Sequence, residues 1–314
     1  MKRKSLPAAG YRPNLRRRII NDWQIYVLLL PAVIYFFVYT YLPMYGLQIV
    51  FKDYKFVKGI LGSEWVGFKH FEDFFNAYYF WRLIKNTFLL NFLNLIIAFP
   101  IPIVMAILLN QFEHKGYKKF TQTAIYIPHF ISTTVMVGIL YLFLSPENGI
   151  INYFIEKLGG KAVHFMILSQ WFRPLYIATE IWQHAGWNTI LFIAALAGVS
   201  PEIYEAATID GATKRQKIWH IDIAHIMPIA IMLLILNSGR LMFSNVDKTL
   251  LMQTSGNIST SDILGLYVYK VGLAGSPPQP SYAAAIGLFT NVINFVMILS
   301  VNFVSKKLSD TSLF

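Results

Sequence analysis

The 314 residues are 55% hydrophobic, 16% aromatic and only 14% charged, with a net charge of +11 and no cysteine; the mean hydropathy is +0.48. Soluble domains carry about 25% charged residues, so this chain is short of water-facing groups, and disulfides, thiolate catalysis and cysteine metal sites are excluded. The basic residues cluster at the ends of apolar stretches and form no separate patch, which argues against a nucleic-acid partner.

The chain opens on a basic arm, 1–22, with Lys2, Arg3, Lys4, Arg12, Arg16, Arg17 and Arg18. The apolar stretch 25–42 follows. It is long for a signal-peptide core and no small-residue cleavage pattern precedes Leu42 and Pro43, so it is expected to stay as a first membrane helix. With its external loop this segment runs over 23–81. Stretches 88–109 and 120–144 come next, interrupted by Pro100, Pro102 and Pro128. Packed bundles tolerate such breaks when neighbours satisfy the freed backbone groups. Stretch 175–196 follows, 229–243 is short and contains Asn237, Ser238 and Arg240, and 282–304 is the last. The pattern predicts an all-α membrane protein with six transmembrane helices.

Lysines and arginines set the orientation. The N-terminal arm, Lys115, Lys118 and Lys119, Lys214, Arg215 and Lys217, and Lys306 and Lys307 fall on one side. Those on the other side are spread over longer loops and mixed with acids. Both termini, the tail 305–314 and residues 202–228 are therefore expected in the cytoplasm, with the basic flanks against anionic lipid. Loops 43–85, 145–173 and 246–281 are expected outside. Loops of that length are often functional, though packing over helix ends is an equal reading.

The cytoplasmic stretch EIYEAATIDGATKRQKIWHIDIAHIMP, residues 202–228, interrupts two apolar runs with four acids, three strong bases and two histidines. Ser200 and Pro201 suit an N-cap and first turn, and Glu202 and Glu205 favour the helix dipole there. Ala206 and Ala207 leave a shallow face, and Gly211 breaks the helix. Ile218, Ile221 and Ile223 lie along a second apolar-rich stretch ending at Pro228. The expected geometry is a short helix, a turn, and a helix returning to the membrane. A solvated loop and a docking face on another protein both fit it.

The segment EAATIDGATKRQKIWHI resembles the EAA loop of ABC-importer permeases, in which E-A-A is followed by three residues, glycine, nine residues and I-x-L-P. Glu205, Ala206, Ala207, Gly211 and Ile221 fall on those positions. Ile223 replaces the leucine, and Ala224 stands where proline is expected, with Pro228 four residues on. That departure bears on the exit angle of the second helix. LPMYGLQIVFKDY, WVGFKHFEDFF, DILGLYVYKVGL, AAIGLFTNVINFV and VNFVSKKLSDTSLF are similar to the LplB-type branch, permeases assigned to oligosaccharides and polysaccharides, including uronate-containing ones such as alginate or pectin fragments. The resemblance implies a type I importer transmembrane domain with its core over 82–304, a coupling helix within 200–228, and a location in the bacterial inner membrane. It also implies a second homologous permease, two ATPase subunits that hold ATP and Mg, and an external binding protein docked on the outer loops. The chain itself would bind no cofactor and catalyse nothing.

Polar groups at membrane depth need a partner or a water-filled cavity. Trp182, Gln183, Trp187, Asn188, Asn237, Arg240, Asn245, Asn291 and Asn294 are the candidates for a sugar path, with His129 beside Pro128. Indoles stack on sugar rings, amides bond hydroxyls, and Arg240 suits a carboxylate. The same asparagines also suit helix-to-helix ties, as do Asn91 and Asn94; Arg240 could snorkel, the tryptophans form interface belts, and His129 satisfy freed backbone. No HExxH, GxSxG or Walker A motif occurs. An ion-coupled secondary carrier is the alternative; Glu180, the only acid near a span interior, gives it little.

Overall fold

A computed structural model describes residues 22–308, which divide into two compact units after Val66. The arginines and lysines of the N-terminal arm and the last six residues of the tail lie outside the described residues.

The first unit contains the apolar helix Trp23–Phe51. It is α-helical from Trp23 to Phe36, widens to a π turn over Phe37–Tyr41 just before Pro43, and tightens to 3₁₀ over Tyr45–Phe51. A proline lacks the N–H an α-turn needs, and a wider turn is one way to absorb that loss. A hairpin closes the unit, with Lys52–Asp53 antiparallel to Glu64–Trp65. Phe51 stacks on Trp65 at 5.5 Å, and Lys52 Nζ donates to the Ile60 carbonyl at 2.8 Å.

The second unit is a helical bundle. Across the described residues four helices are long and apolar enough to cross a membrane: Trp23–Phe51, Phe80–Asn110, Lys214–Ser238 and Pro280–Lys307. Two bent pairs raise the number to six if each pair is one span.

The sequence expectation needs correcting at two of the six stretches. Stretch 120–144 is not a single kinked helix: Lys115–Phe130 and Thr133–Leu144 meet at 98°. Pro128 sits in a 3₁₀ turn, Ile131 is extended, and Ser132 caps the next helix by accepting from the Val135 N–H. Stretch 229–243 starts too late and ends too late. Its helix begins at Lys214, passes a π turn at Ile218–Ile223, carries Pro228 inside it and stops at Ser238. The expected end of the returning helix at Pro228 is thus continuous helix.

The helix Ser169–Ala197 is the axis of the unit, packing against Phe80–Ala98, Pro100–Asn110, Lys115–Tyr126 and Ala224–Ser238. Toward one end Phe172 and Tyr176 join Leu90, Met136, Met252 and Ile263 in a core. Toward the other, Phe192 and Leu196 meet Ala106, Ile226 and Ala230. Between these cores the helix carries its polar residues, and there the packing opens.

Candidate functional site

A cavity of roughly 1000 Å³ lies where the axial helix faces Phe80–Asn110, the end of Lys214–Ser238 and the residues 240–247 that follow it. Trp187, Asn188, Asn237, Arg240 and Asn245, all candidates for a sugar path, line it. Arg240 is exposed to the cavity, and among the described residues no hydrogen bond or ion pair engages its guanidinium. Asn245 also caps the helix Val246–Met252 by accepting from the Lys248 N–H at 3.0 Å.

The structure does not bring Trp182, Gln183, Asn291 or Asn294 to the cavity. Gln183 is buried and donates to the Ile131 carbonyl at 2.6 Å, holding the 98° break in place. Asn294 accepts from the Met242 N–H at 2.9 Å and pins the loop after Ser238. Both satisfy backbone groups that no helix satisfies. Trp182 and Asn291 are exposed side chains. Asn91 and Asn94 line the cavity as well. Asn91 spends its amide on Thr87, Leu241 and Ser244, whereas the Asn94 Oδ1 is buried without a partner.

One wall of the cavity escaped the sequence. Lys248, 1% exposed, sends its Nζ to Glu180 Oε2 at 2.9 Å and to the Tyr176 carbonyl at 3.0 Å, over the Tyr176 ring. Burial pulls the pKa of this ammonium down, and Glu180 pulls it back up. Glu180 Oε1 lies 3.9 Å from His184 Nε2. His184 Nδ1 is 3.0 Å from His129 Nδ1, so one of the two nitrogens carries a proton and the other accepts it. His129 in turn stacks on Trp187 at 4.4 Å and 6°. His129 thus turns to side chains, not to freed backbone. The Glu180 and His184 spacing of four residues was a visible signal; Lys248, 68 residues away in a polar loop, was not.

Beyond the packing of Phe192 against Ala106, the axial helix bends by 68° into Pro201–Ile209. Pro201 occupies the first turn and Ser200 the N-cap position, but the Ser200 side chain makes no capping bond. Glu205 and Ala206 are exposed, Ala207 is half-buried, and Ile209 is 87% exposed. Gly211 turns the chain at φ +76°, a conformation that costs a side chain dearly. A reciprocal cap between Thr213 and Gln216 starts the next helix, and Lys217 Nζ ties back to Thr208 at 2.7 Å. Ile221 is half-buried. Beside it Asp222 is fully buried and accepts from the Tyr204 hydroxyl, whose pKa burial and this carboxylate push up to about 12.

Residues 77–310 match the family described as binding-protein-dependent transport system inner membrane component. The chain belongs to this family. It is 42% identical to the protein LplB of Bacillus subtilis over 94% of its own length and 92% of that protein's. It is 40% identical to the polygalacturonan/rhamnogalacturonan transport system permease protein YteP of the same organism, over 96% and 94%. Among solved structures it is similar to a chain of a bacterial alginate ABC transporter in complex with an alginate pentasaccharide-bound periplasmic protein. The TM-score there is 0.87 at 36% identity, with 96% of this chain and 100% of that one covered. The fold is that of an ABC-importer permease, a membrane subunit that catalyses no reaction. The alternative of an ion-coupled secondary carrier falls with the family match.

Proposed function

We propose that this permease carries acidic oligosaccharides, of the class that includes galacturonan and alginate fragments, through an importer that it forms with a second, homologous permease. In this reading six spans cross the inner membrane with both termini in the cytoplasm; Lys115–Phe130 and Thr133–Leu144 together count as one span, Ser169–Ala197 as another, and Pro201–Ile209 lies below it in the cytoplasm. Two ATPase subunits below it hold ATP and Mg, and a solute-binding protein docks on the outer loops. The names of the relatives support the substrate class. The observation that carries it is the Arg240 guanidinium, without a partner among the described residues, in a cavity that Trp187 also lines, so that a cation and a stacking platform face one space.

ATP closes the ATPase dimer, which drives the helix Pro201–Ile209 as a lever and tips the bundle from inward- to outward-facing; hydrolysis resets it. This is alternating access by two states that bind their ligands differently. Glu205, Ala206, Ala207, Gly211 and Ile221 shape the lever and its return, with Glu205 and the alanines on the docking face.

The importer, reconstituted with its ATPase, partner permease and binding protein, should take up oligogalacturonate or oligoalginate only with ATP. Arg240→Gln should raise the half-saturating concentration about tenfold for a uronate oligosaccharide, the loss expected for one charge-assisted bond, and leave a neutral oligosaccharide of equal length unaffected. Equal effects on both sugars would refute the role of Arg240. Separately, Glu205→Lys, or leucine at Ala207, should abolish ATP-driven uptake while membrane insertion persists. Normal uptake in those variants would remove the docking role from this helix.

A further inference from the structure

The lever must move the bundle, and the contact that would transmit its motion is a single buried carboxylate. Asp222 has no exposed surface, although it follows soon after the exposed turn at Gly211. Its Oδ1 accepts from the Tyr204 hydroxyl at 2.5 Å, and Tyr204 belongs to the lever helix Pro201–Ile209. Its Oδ2 accepts from Gln111 Nε2 at 2.9 Å, just past the C-terminal end of the helix Pro100–Asn110. Asn110 Nδ2 closes the group, 3.4 Å from the Tyr204 hydroxyl and 3.5 Å from Asp222 Oδ1.

All these donors are neutral. A buried carboxylate without a cation is costly unless its oxygens are well bonded, so the four side chains hold one another in place. Asp222 also lies within the π turn Ile218–Ile223. Wide turns of this kind bring one side chain inward at the expense of regular helix bonding and recur at functional positions. Two separate observations therefore meet at Asp222: a closed hydrogen-bond group joining three segments, and an irregular turn that aims the carboxylate into it. An apolar residue would fill such a spot more cheaply if packing were its only task.

We propose that Asp222 is a positioning residue that latches the lever helix to the ends of the second and fifth spans, so that all three move as one body. The inference rests on the reading of Pro201–Ile209 as the ATPase-docking lever. The latch makes the lever's displacement independent of the flexibility of Gly211, since Tyr204 bypasses that turn and bonds directly across it.

The test uses the assembled importer and needs no knowledge of the sugar. The chain has no cysteine, so single cysteines at Ile209 and Leu108, exposed in the permease, accept nitroxide labels cleanly. The distance between the labels should be single and narrow, and unchanged between the nucleotide-free and ATP–vanadate states. With Asp222→Asn the distribution should broaden or become nucleotide-dependent, because the substituted side chain turns an amide toward the Gln111 amide. The exchange Asp222→Asn with Gln111→Glu restores one carboxylate and one amide and should restore the narrow distance. If Asp222→Asn does not assemble, Tyr204→Phe carries the same expectation. A narrow, nucleotide-independent distance in the single variants, or a wild-type distance that changes with ATP–vanadate, overturns the latch. Docking is read separately, from loss of mobility of the label at Ile209 when the ATPase binds. No loss there overturns the lever itself, whatever the distance does.

Discussion

Replacing Glu180 with alanine is expected to destabilise the detergent-solubilised permease by about 3–5 kcal/mol, the cost of stranding a buried charge. Lys248 is the stranded partner: at 1% exposure its ammonium keeps only the Tyr176 carbonyl and the face of the Tyr176 ring. Those two contacts hold the loss toward the lower end of the range. The reverse change, Lys248→Met, should cost distinctly less, because the Glu180 carboxyl borders the cavity, at 26% side-chain exposure, and water can reach it. Glu180→Gln combined with Lys248→Met should recover most of the stability, since no charge is then buried. Thermal unfolding of the four proteins in one detergent reads the order. A Glu180→Ala protein as stable as wild type would mean that Lys248 finds water in the folded state.

The consequence reaches the cavity. Lys248 lies on the short helix Val246–Met252 in a loop expected outside, and its bond to Glu180 fastens that helix to the axial span at the cavity wall. Asn245 and Asp247, on either side of its N-terminus, line the same cavity. Losing the pair would therefore loosen the rim of the cavity as well as the fold.

Much of this architecture was legible in the residues. Apolar length marks the stretches that could cross a bilayer, and the charged interruption at 202–228 marks the short helix Pro201–Ile209 and the turn after it. The breaks were not legible. Pro128 reads as an ordinary kink, and what turns it into a 98° corner is Ser132 as a cap and Gln183, an axial-helix residue that satisfies Ile131 from outside. Pro228 reads as a stop, yet the helix passes it and places its irregular turn upstream. At the cavity, residue chemistry could only name candidates, because which face of a helix meets a void is decided by neighbours far away in sequence. Hence Trp187 and Arg240 reach the cavity, while Gln183 and Asn294 serve backbone, and Lys248 looked like one more loop lysine until the fold buried it against Glu180.

Gly186→Ala is expected to disrupt folding more than any other single-methyl addition near the cavity. A Cβ there would lie 2.0 Å from the Ile125 carbonyl oxygen and 2.6 Å from its carbon. The obstacle is the backbone of the helix Lys115–Tyr126, which cannot rotate away as a side chain would. Small residues let membrane helices approach this closely, and the contact lies next to Ala185 and Trp187 on the cavity wall. Ordinary overpacking costs about 1–3 kcal/mol; with backbone on one side the loss should reach or exceed the upper end, and the forced separation would carry Trp187 away from His129. Gly287→Ala is the control. It adds the same methyl within the helix Pro280–Leu308, where nothing lies within 4 Å, and it should be neutral or stabilise slightly through helix propensity. Monodisperse yield and melting temperature, compared between the two variants, decide the matter. Equal behaviour would show that the two helices sit further apart than their backbones indicate.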